Sequence, residues 1–333
     1  MSPEIKLVAD ILSSTILFAV PLLLVAMGGM FSERSGVINI ALEGIMLIGA
    51  LAGSLALRAL NMGSFGAANP QLAMLIAIFI SALCGSVFSL LLAFASIHLK
   101  ADQTIGGTAL NMLAPAVAIV LTWAIQGQGQ STIILPTWIR ITPAALGIAE
   151  NTGSFFQYFA FKSFYLTFPV CVLLFIIGTV LLYKTRFGLR LRSCGEHPQA
   201  ADSVGINVYR MRYAGVAISG FLGGIGGLAY TVAAGSAFQS TVMGYGFLAL
   251  AVMIFGNWKP LNILGAALFF ALFKVISSMS ASIPFLPSFP NIKSSEYIYL
   301  MLPYIVTMVI LILTSKKSRA PKAEGIPYDK GER

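Results

Sequence analysis

Three polar side chains stand inside long apolar runs: Asn39 and Glu43 in "NIALEG" (39–44), and Asn111 in "TALNMLAP" (108–115). One carboxylate and two amides could hydrogen-bond the hydroxyls and amides of an uncharged polar solute along an otherwise apolar path. The same groups could instead tie helices together by hydrogen bonds across their interfaces. Both readings stay open for each residue. An ionisable group in hydrocarbon costs at least a few kcal/mol, so Glu43 must face a cavity or a bonded partner. It reads as lying about two turns into a span that begins near Gly36, one turn from Asn39. Covalent chemistry is not indicated. There are two histidines, His98 and His197, no paired carboxylates and no Ser/His/Asp order with supporting turns. No metal-ligand spacing is readable, and Cys84, Cys171 and Cys194 form no disulfide framework. The expectation is a non-enzymatic chain with no metal.

The elements that carry these residues are membrane helices. Of 333 residues, 57 % are hydrophobic and 10 % charged, against roughly 25 % charged in a soluble domain. The net charge of +9 is dispersed in short clusters between apolar runs, not in a stripe with stacking aromatics, which excludes nucleic acid as a partner. Spans of about 20 apolar residues are predicted at Leu7–Met30, Gly36–Leu57, Leu72–Ala95, Ile105–Ile125, Phe164–Tyr183, Tyr213–Ala234, Ser240–Gly256, Leu261–Met279 and Tyr297–Leu313. The fold class is all-α, polytopic, with about nine (8–10) transmembrane helices. The seventh span is short and interrupted by Gly244 and Gly246. Glu4 and Asp10 spoil a cleavable signal, so the first span reads as retained.

Lys and Arg mark the cytoplasmic side. The loop Lys184–Arg212 and the tail "KKSRAPK" (316–322) then lie inside, with the N-terminus outside and the C-terminus inside. The expected organisation is a transmembrane domain over 1–314 and a basic cytoplasmic tail over 315–333. The connection 126–163 lies outside and carries Trp138 and "FFQYF" (155–159). It reads as a loop resting on the lipid headgroups or as a landing surface for an outside partner.

The loop 184–212 contains "CGEHPQAADSVGINV" (194–208). Pro198 suits a first helical turn, Glu196 the positive end of the helix dipole, and Gly205 the left-handed residue that ends a helix. So short a helix is unstable alone and needs a surface to pack on. Ala200, Ala201 and Val204 offer a small apolar one. Docking element and simple chain reversal are both compatible with these residues. In "SGFLGGIGGLAY" (219–230), Gly220/Gly224 and Gly223/Gly227 are GxxxG pairs that allow helix backbones to approach closely.

The stretch "GLRLRSCGEHPQAADSVGINVYRMR" (188–212) resembles the cytoplasmic loop of ABC-importer permeases of the branched-chain amino acid, ribose and nucleoside permease superfamily. Gly195, Glu196, Pro198, Ala200, Ala201, Gly205 and Ile206 carry the pattern. "ERSGVINIALEGIMLIGA" (33–50) and "GFLALAVMIFGNWKPLNILGAALF" (246–269) are also similar, and the resemblance covers roughly 10–315. The "NIALEG" and "GEHPQAADSVGINV" versions look most like nucleoside permeases. His197, where sugar permeases commonly have asparagine, weakens a sugar assignment.

The resemblance implies an importer permease subunit in a bacterial plasma membrane. It implies coupling through the seven loop residues to a separate ABC ATPase subunit, which holds ATP and Mg. It also implies pairing with a second permease, a homologous but different chain, and an extracellular or periplasmic substrate-binding protein. This chain has no G-x-x-x-x-G-K-[ST] phosphate loop and is expected to bind no cofactor; its other contact is membrane lipid. Simple sugars, riboflavin-like compounds and branched-chain amino acids are alternative cargoes. An ion-coupled secondary transporter is the alternative of a different class; it would use acids at unwound helices near the midplane, and Glu43 is the only mid-span acid.

Overall fold

The computed structural model describes residues 2–143, 154–235 and 237–280. It also describes 299, 301, 302, 304–306, 308, 309, 312 and 320–331. In chain order the helices are α1 (Pro3–Arg34), α2 (Leu42–Met62), α3 (Phe65–Ala68), α4 (Pro70–Ala93), α5 (Gln103–Gln126), α6 (Phe155–Phe161), α7 (Thr167–Lys184), α8 (Arg186–Glu196), α9 (Pro198–Ser203), α10 (Val208–Ala233), α11 (Tyr245–Phe255) and α12 (Pro260–Ser278). Two strands, β1 (Ile133–Ile134) and β2 (Ala237–Phe238), pair antiparallel. Seven of these helices (α1, α2, α4, α5, α7, α10 and α12) are long and apolar enough to cross a membrane, and α11 is a shorter apolar helix. The ninth expected span, 297–313, lies partly outside the described residues; those described between 299 and 312 are helical.

α10 is the centre, packed against α1, α2 and α4. The glycines decide this. A Cβ on Gly220 would strike the Ser89 hydroxyl and the Gly85 carbonyl on α4. One on Gly224 would strike the Ser81 carbonyl, and one on Gly227 the Met46 carbonyl on α2. Gly223 faces Ile45, 2.9 Å from where its Cβ would stand. All four are buried. They pack helix on helix, and Gly49, Gly53 and Gly85 on the facing helices complete the close approach. The apolar faces of α5 and α7 are largely exposed, as helices at the bundle's edge must be in a membrane.

Several sequence expectations are corrected. The second span starts its helix at Leu42, not near Gly36: residues 35–41 are non-helical. Gly36 has φ +96°, a left-handed conformation that glycine adopts at no steric cost. Glu43 therefore sits in the first turn of α2, and Asn39 is not on its helix. The N-cap of α5 is Asp102, whose carboxylate accepts the Ile105 N–H at 2.9 Å. Asp10 in α1 pairs with Lys162 and accepts the Tyr158 hydroxyl at 2.8 Å. The loop 184–212 holds two helices, because Arg186–Glu196 is also helical. Residues 320–331 of the tail run back against α8, α9 and α10.

Candidate translocation site and coupling loop

Two backbone breaks meet inside the bundle. One is 35–41, between α1 and α2; the other is 239–244, between β2 and α11. Backbone away from water must satisfy every N–H and C=O, and at the first break the side chains of Asn111 and Gln103 do so. Asn111 on α5 donates from Nδ2 to the Ile40 carbonyl and accepts the Gly44 N–H on Oδ1, both at 2.8 Å. It supplies the partners that α2 loses by starting at Leu42. Asn39 is fully buried and donates to Ser219 Oγ at 2.8 Å, fastening the break to α10. Gln103 accepts the Ile38 N–H at 2.7 Å.

Glu43 closes the second break. Its two carboxylate oxygens accept the N–H groups of Gly244 at 2.8 Å and Gly246 at 2.7 Å. These are orphan donors at the positive end of α11. The carboxylate is only partly buried. The buried Tyr230 ring lies beside it, and the Tyr245 ring packs on Tyr230 with centroids 4.6 Å apart. The Tyr304 hydroxyl lies over Gly244, 3.5 Å from where a Cβ would stand. Tyr304 is 53 % exposed, and Phe247, in the first turn of α11, is exposed as well. Of the three path candidates, Glu43 borders this open aromatic surface. Asn111 holds the backbone of the break, and Asn39 ties it to α10 through Ser219. Sequence reasoning found the acid and missed the tyrosines and the acid's partners. The legible signal was the short seventh span broken by Gly244 and Gly246, the mark of a half-helix that begins inside the membrane.

At the other end of the bundle, α8 and α9 form the polar loop. Pro198 opens α9, His197 Nδ1 accepts the Ala200 N–H at 3.3 Å, and Gly205 ends the turn with φ +83°. The small apolar surface expected of Ala200, Ala201 and Val204 is split. Ala200 is exposed and Val204 is 75 % exposed, whereas Pro198 and Ala201 are buried. Ala201 packs with Cys194, Val208 and half-buried Ile206. Burial pushes the Cys194 thiol up to about 11. Gly195 is buried, with no room for a Cβ against the Arg34 carbonyl. Glu196 pairs with Arg34 at 3.5 Å, and Arg34 also donates to the Trp258 carbonyl at 3.2 Å. The loop thus rests on the turn that begins the first backbone break.

The strap 320–331 locks onto the same region. The Ala323 N–H donates to the Gly195 carbonyl at 2.8 Å. Arg212, 1 % exposed, donates to the Ile326 carbonyl at 2.9 Å. Tyr328 fills the cluster of Cys194, Ala201 and Val208, and Asp329 pairs with Lys100. Glu324 lies against Glu33, which accepts the Trp258 indole N–H at 2.6 Å. Burial pushes the Glu324 carboxyl up to about 7, against the opposing pull of its bond to Glu33 and of Arg34.

The arrangement is a membrane bundle with a partly open polar and aromatic site at two helix breaks. A surface helix packed on Cys194, Val208 and Tyr328 joins that site through Arg34 and residues 35–41. The family model for the permease component of the branched-chain amino acid transport system matches residues 11–313. This chain belongs to that family. The permease is 42 % identical over 330 residues to the guanosine ABC transporter permease protein NupQ of Bacillus subtilis, covering 99 % of each chain. It is 39 % identical over 323 residues to the nucleoside ABC transporter permease protein NupC of Lactococcus lactis, covering 97 % of each. The same organism's nucleoside ABC transporter permease protein NupB is 22 % identical over 320 residues, 94 % of this chain and 84 % of that one. No solved structure matches. The permease is a multi-pass membrane protein and not itself an enzyme; ATP hydrolysis belongs to a separate subunit.

Proposed function

We propose that the permease forms half of the translocation path of an ATP-driven importer of nucleosides in the bacterial plasma membrane. The observation that carries this reading is the near full-length 42 % identity to a guanosine permease. The site fits such a cargo. Nucleobases stack on aromatic rings, and ribose hydroxyls donate to a carboxylate acceptor. Tyr304, Phe247 and Glu43 supply both where irregular backbone lines an opening.

In this reading α8, α9 and the strap face the cytoplasm, because Arg34, Lys100, Lys184, Arg186, Arg190, Arg192, Arg210 and Arg212 gather at that end. An ABC ATPase subunit, holding ATP and Mg, seats on the exposed face of α9 at Gln199, Ala200, Ser203 and Val204. Gly195, Glu196, Pro198, Ala201, Gly205 and Ile206 hold that face in place. Movement passes through Arg34 and residues 35–41 to Glu43. The second permease is a homologous, different chain; Lactococcus lactis has two nucleoside permeases of this kind, both similar to this one. A substrate-binding protein delivers cargo from outside.

Co-expression with candidate ATPase and second-permease chains, reconstitution, and uptake of labelled guanosine with the binding protein test the reading. Uptake should require ATP and be competed by other nucleosides, not by glucose, riboflavin or leucine. Competition by one of those would replace the cargo. Uptake driven by an ion gradient without an ATPase would establish the secondary transporter instead, with Glu43 as its first coupling residue to examine.

A further inference from the structure

At the β1–β2 end of the bundle, α6 leans on the first half of α1. Between them lies a cavity of about 430 Å3 whose walls are almost entirely hydrocarbon and aromatic. Ile16, Leu17 and Val20 form one wall, Phe156 and Phe159 another, and Phe168 closes it toward α7. No residue of α6 is buried. Cations gather at its rim. Arg140 donates to the carbonyl of Phe161, which lines the cavity, at 3.2 Å. Lys162 pairs with Asp10. The Lys162 and Lys6 ammonium groups lie 5.5 and 5.7 Å from the Tyr158 ring centroid. Among the described residues the acids there are Asp10, already engaged by Lys162 and by the Tyr158 hydroxyl, and exposed Glu4 in the first turn of α1. Among the described residues positive charge exceeds negative, and Lys6 and Arg140 are both exposed.

We propose that this cavity holds one acyl chain of an anionic phospholipid whose phosphate lies among Lys6, Arg140 and Lys162. Hydrocarbon walls on a membrane protein match an acyl chain. Basic side chains at the surface select anionic over zwitterionic headgroups, each worth about fivefold. Lys162 is the least available of the three because Asp10 already neutralises it, so Lys6 and Arg140 carry the selection. The inference does not depend on which nucleoside or other cargo is moved.

The test is native mass spectrometry of the intact permease released from nanodiscs of equal phosphatidylglycerol and phosphatidylcholine. The wild type should retain about one phosphatidylglycerol per chain, in roughly tenfold or greater preference. Lys6→Gln with Arg140→Gln should keep a bound lipid and lose the preference. Ala160→Trp, which fills the cavity, should lose the retained lipid of either kind. Equal retention of both lipids by the wild type would overturn the proposal. So would an undiminished preference in the double variant, whose surface positions leave folding intact even where Ala160→Trp does not.

Discussion

Replacing Glu43 tests whether its carboxylate is needed as an acceptor for the α11 N-terminus. Both oxygens are used: the Gly244 and Gly246 N–H groups point at separate oxygens, at 2.8 and 2.7 Å. Glutamine has one carbonyl oxygen and an NH2 that cannot accept. Glu43→Gln therefore keeps one bond and leaves one buried N–H facing a donor, a loss of about 1–3 kcal/mol. Leucine accepts neither. Glu43→Leu leaves two orphan donors and costs about 2–6 kcal/mol, two such losses. The space is also tight, since a Cβ on Gly246 would stand 2.9 Å from Glu43 Oε2, so a branched leucine has little room to settle. The assay is the temperature at which half the detergent-solubilised protein ceases to be monodisperse, paired with guanosine uptake at equal membrane expression. The expected order is wild type, then Gln, then Leu, in both readouts. Leu equal to wild type in thermal survival would refute the capping role. Gln and Leu equally stable but equally inactive would show that the charge, not the acceptor count, is what the site uses.

Four further outcomes follow from the geometry. Gly224→Val should destabilise by about 1–3 kcal/mol or more, because its Cβ would strike the Ser81 backbone carbonyl; wild-type thermal survival would contradict the packing. Ala200→Glu should leave the permease folded and cut its pull-down of the ATPase, while Ala201→Glu should lower folded yield, since only Ala201 is buried; identical behaviour would contradict the split of α9 into two faces. The strap should loosen as pH rises. Glu324 has a folded value of about 7, above the ordinary glutamate value of about 4.3, so its contribution to strap docking is fully present below about 4.3 and lost as pH passes 7. Amide exchange over 320–331 should accelerate between pH 5 and 8 beyond the intrinsic base-catalysed trend, and Glu324→Gln should flatten the excess. Tyr328→Ala should raise exchange at Ala201 and Val208, which its ring covers, and no change there would remove the strap from the loop's core.

How much of this was legible in the chain depended on the range of the interaction. Hydropathy sums over a window, so the long helices and the short seventh helix could be read from composition alone. The GxxxG pairs of α10 marked close packing because a missing Cβ is a local fact. Pro198 and Gly205 marked the two ends of α9 for the same reason. The break at 35–41 escaped because Val37, Ile38 and Ile40 are as apolar as a span. What makes them non-helical is Gly36 together with Asn111 and Gln103, contributed by another helix. Glu43 was legible as a costly charge, but its partners lie about 200 residues away, at Gly244 and Gly246. The inward face of Ala201 depends on Tyr328, at the far end of the chain, a contact that no pattern in the basic tail announces. Sequence by itself determined the helices, the family resemblance and which polar residues needed a reason. Only the tertiary structure decided what that reason was, because a hydrogen bond needs its partner within about 3 Å and no local pattern encodes which distant segment brings it.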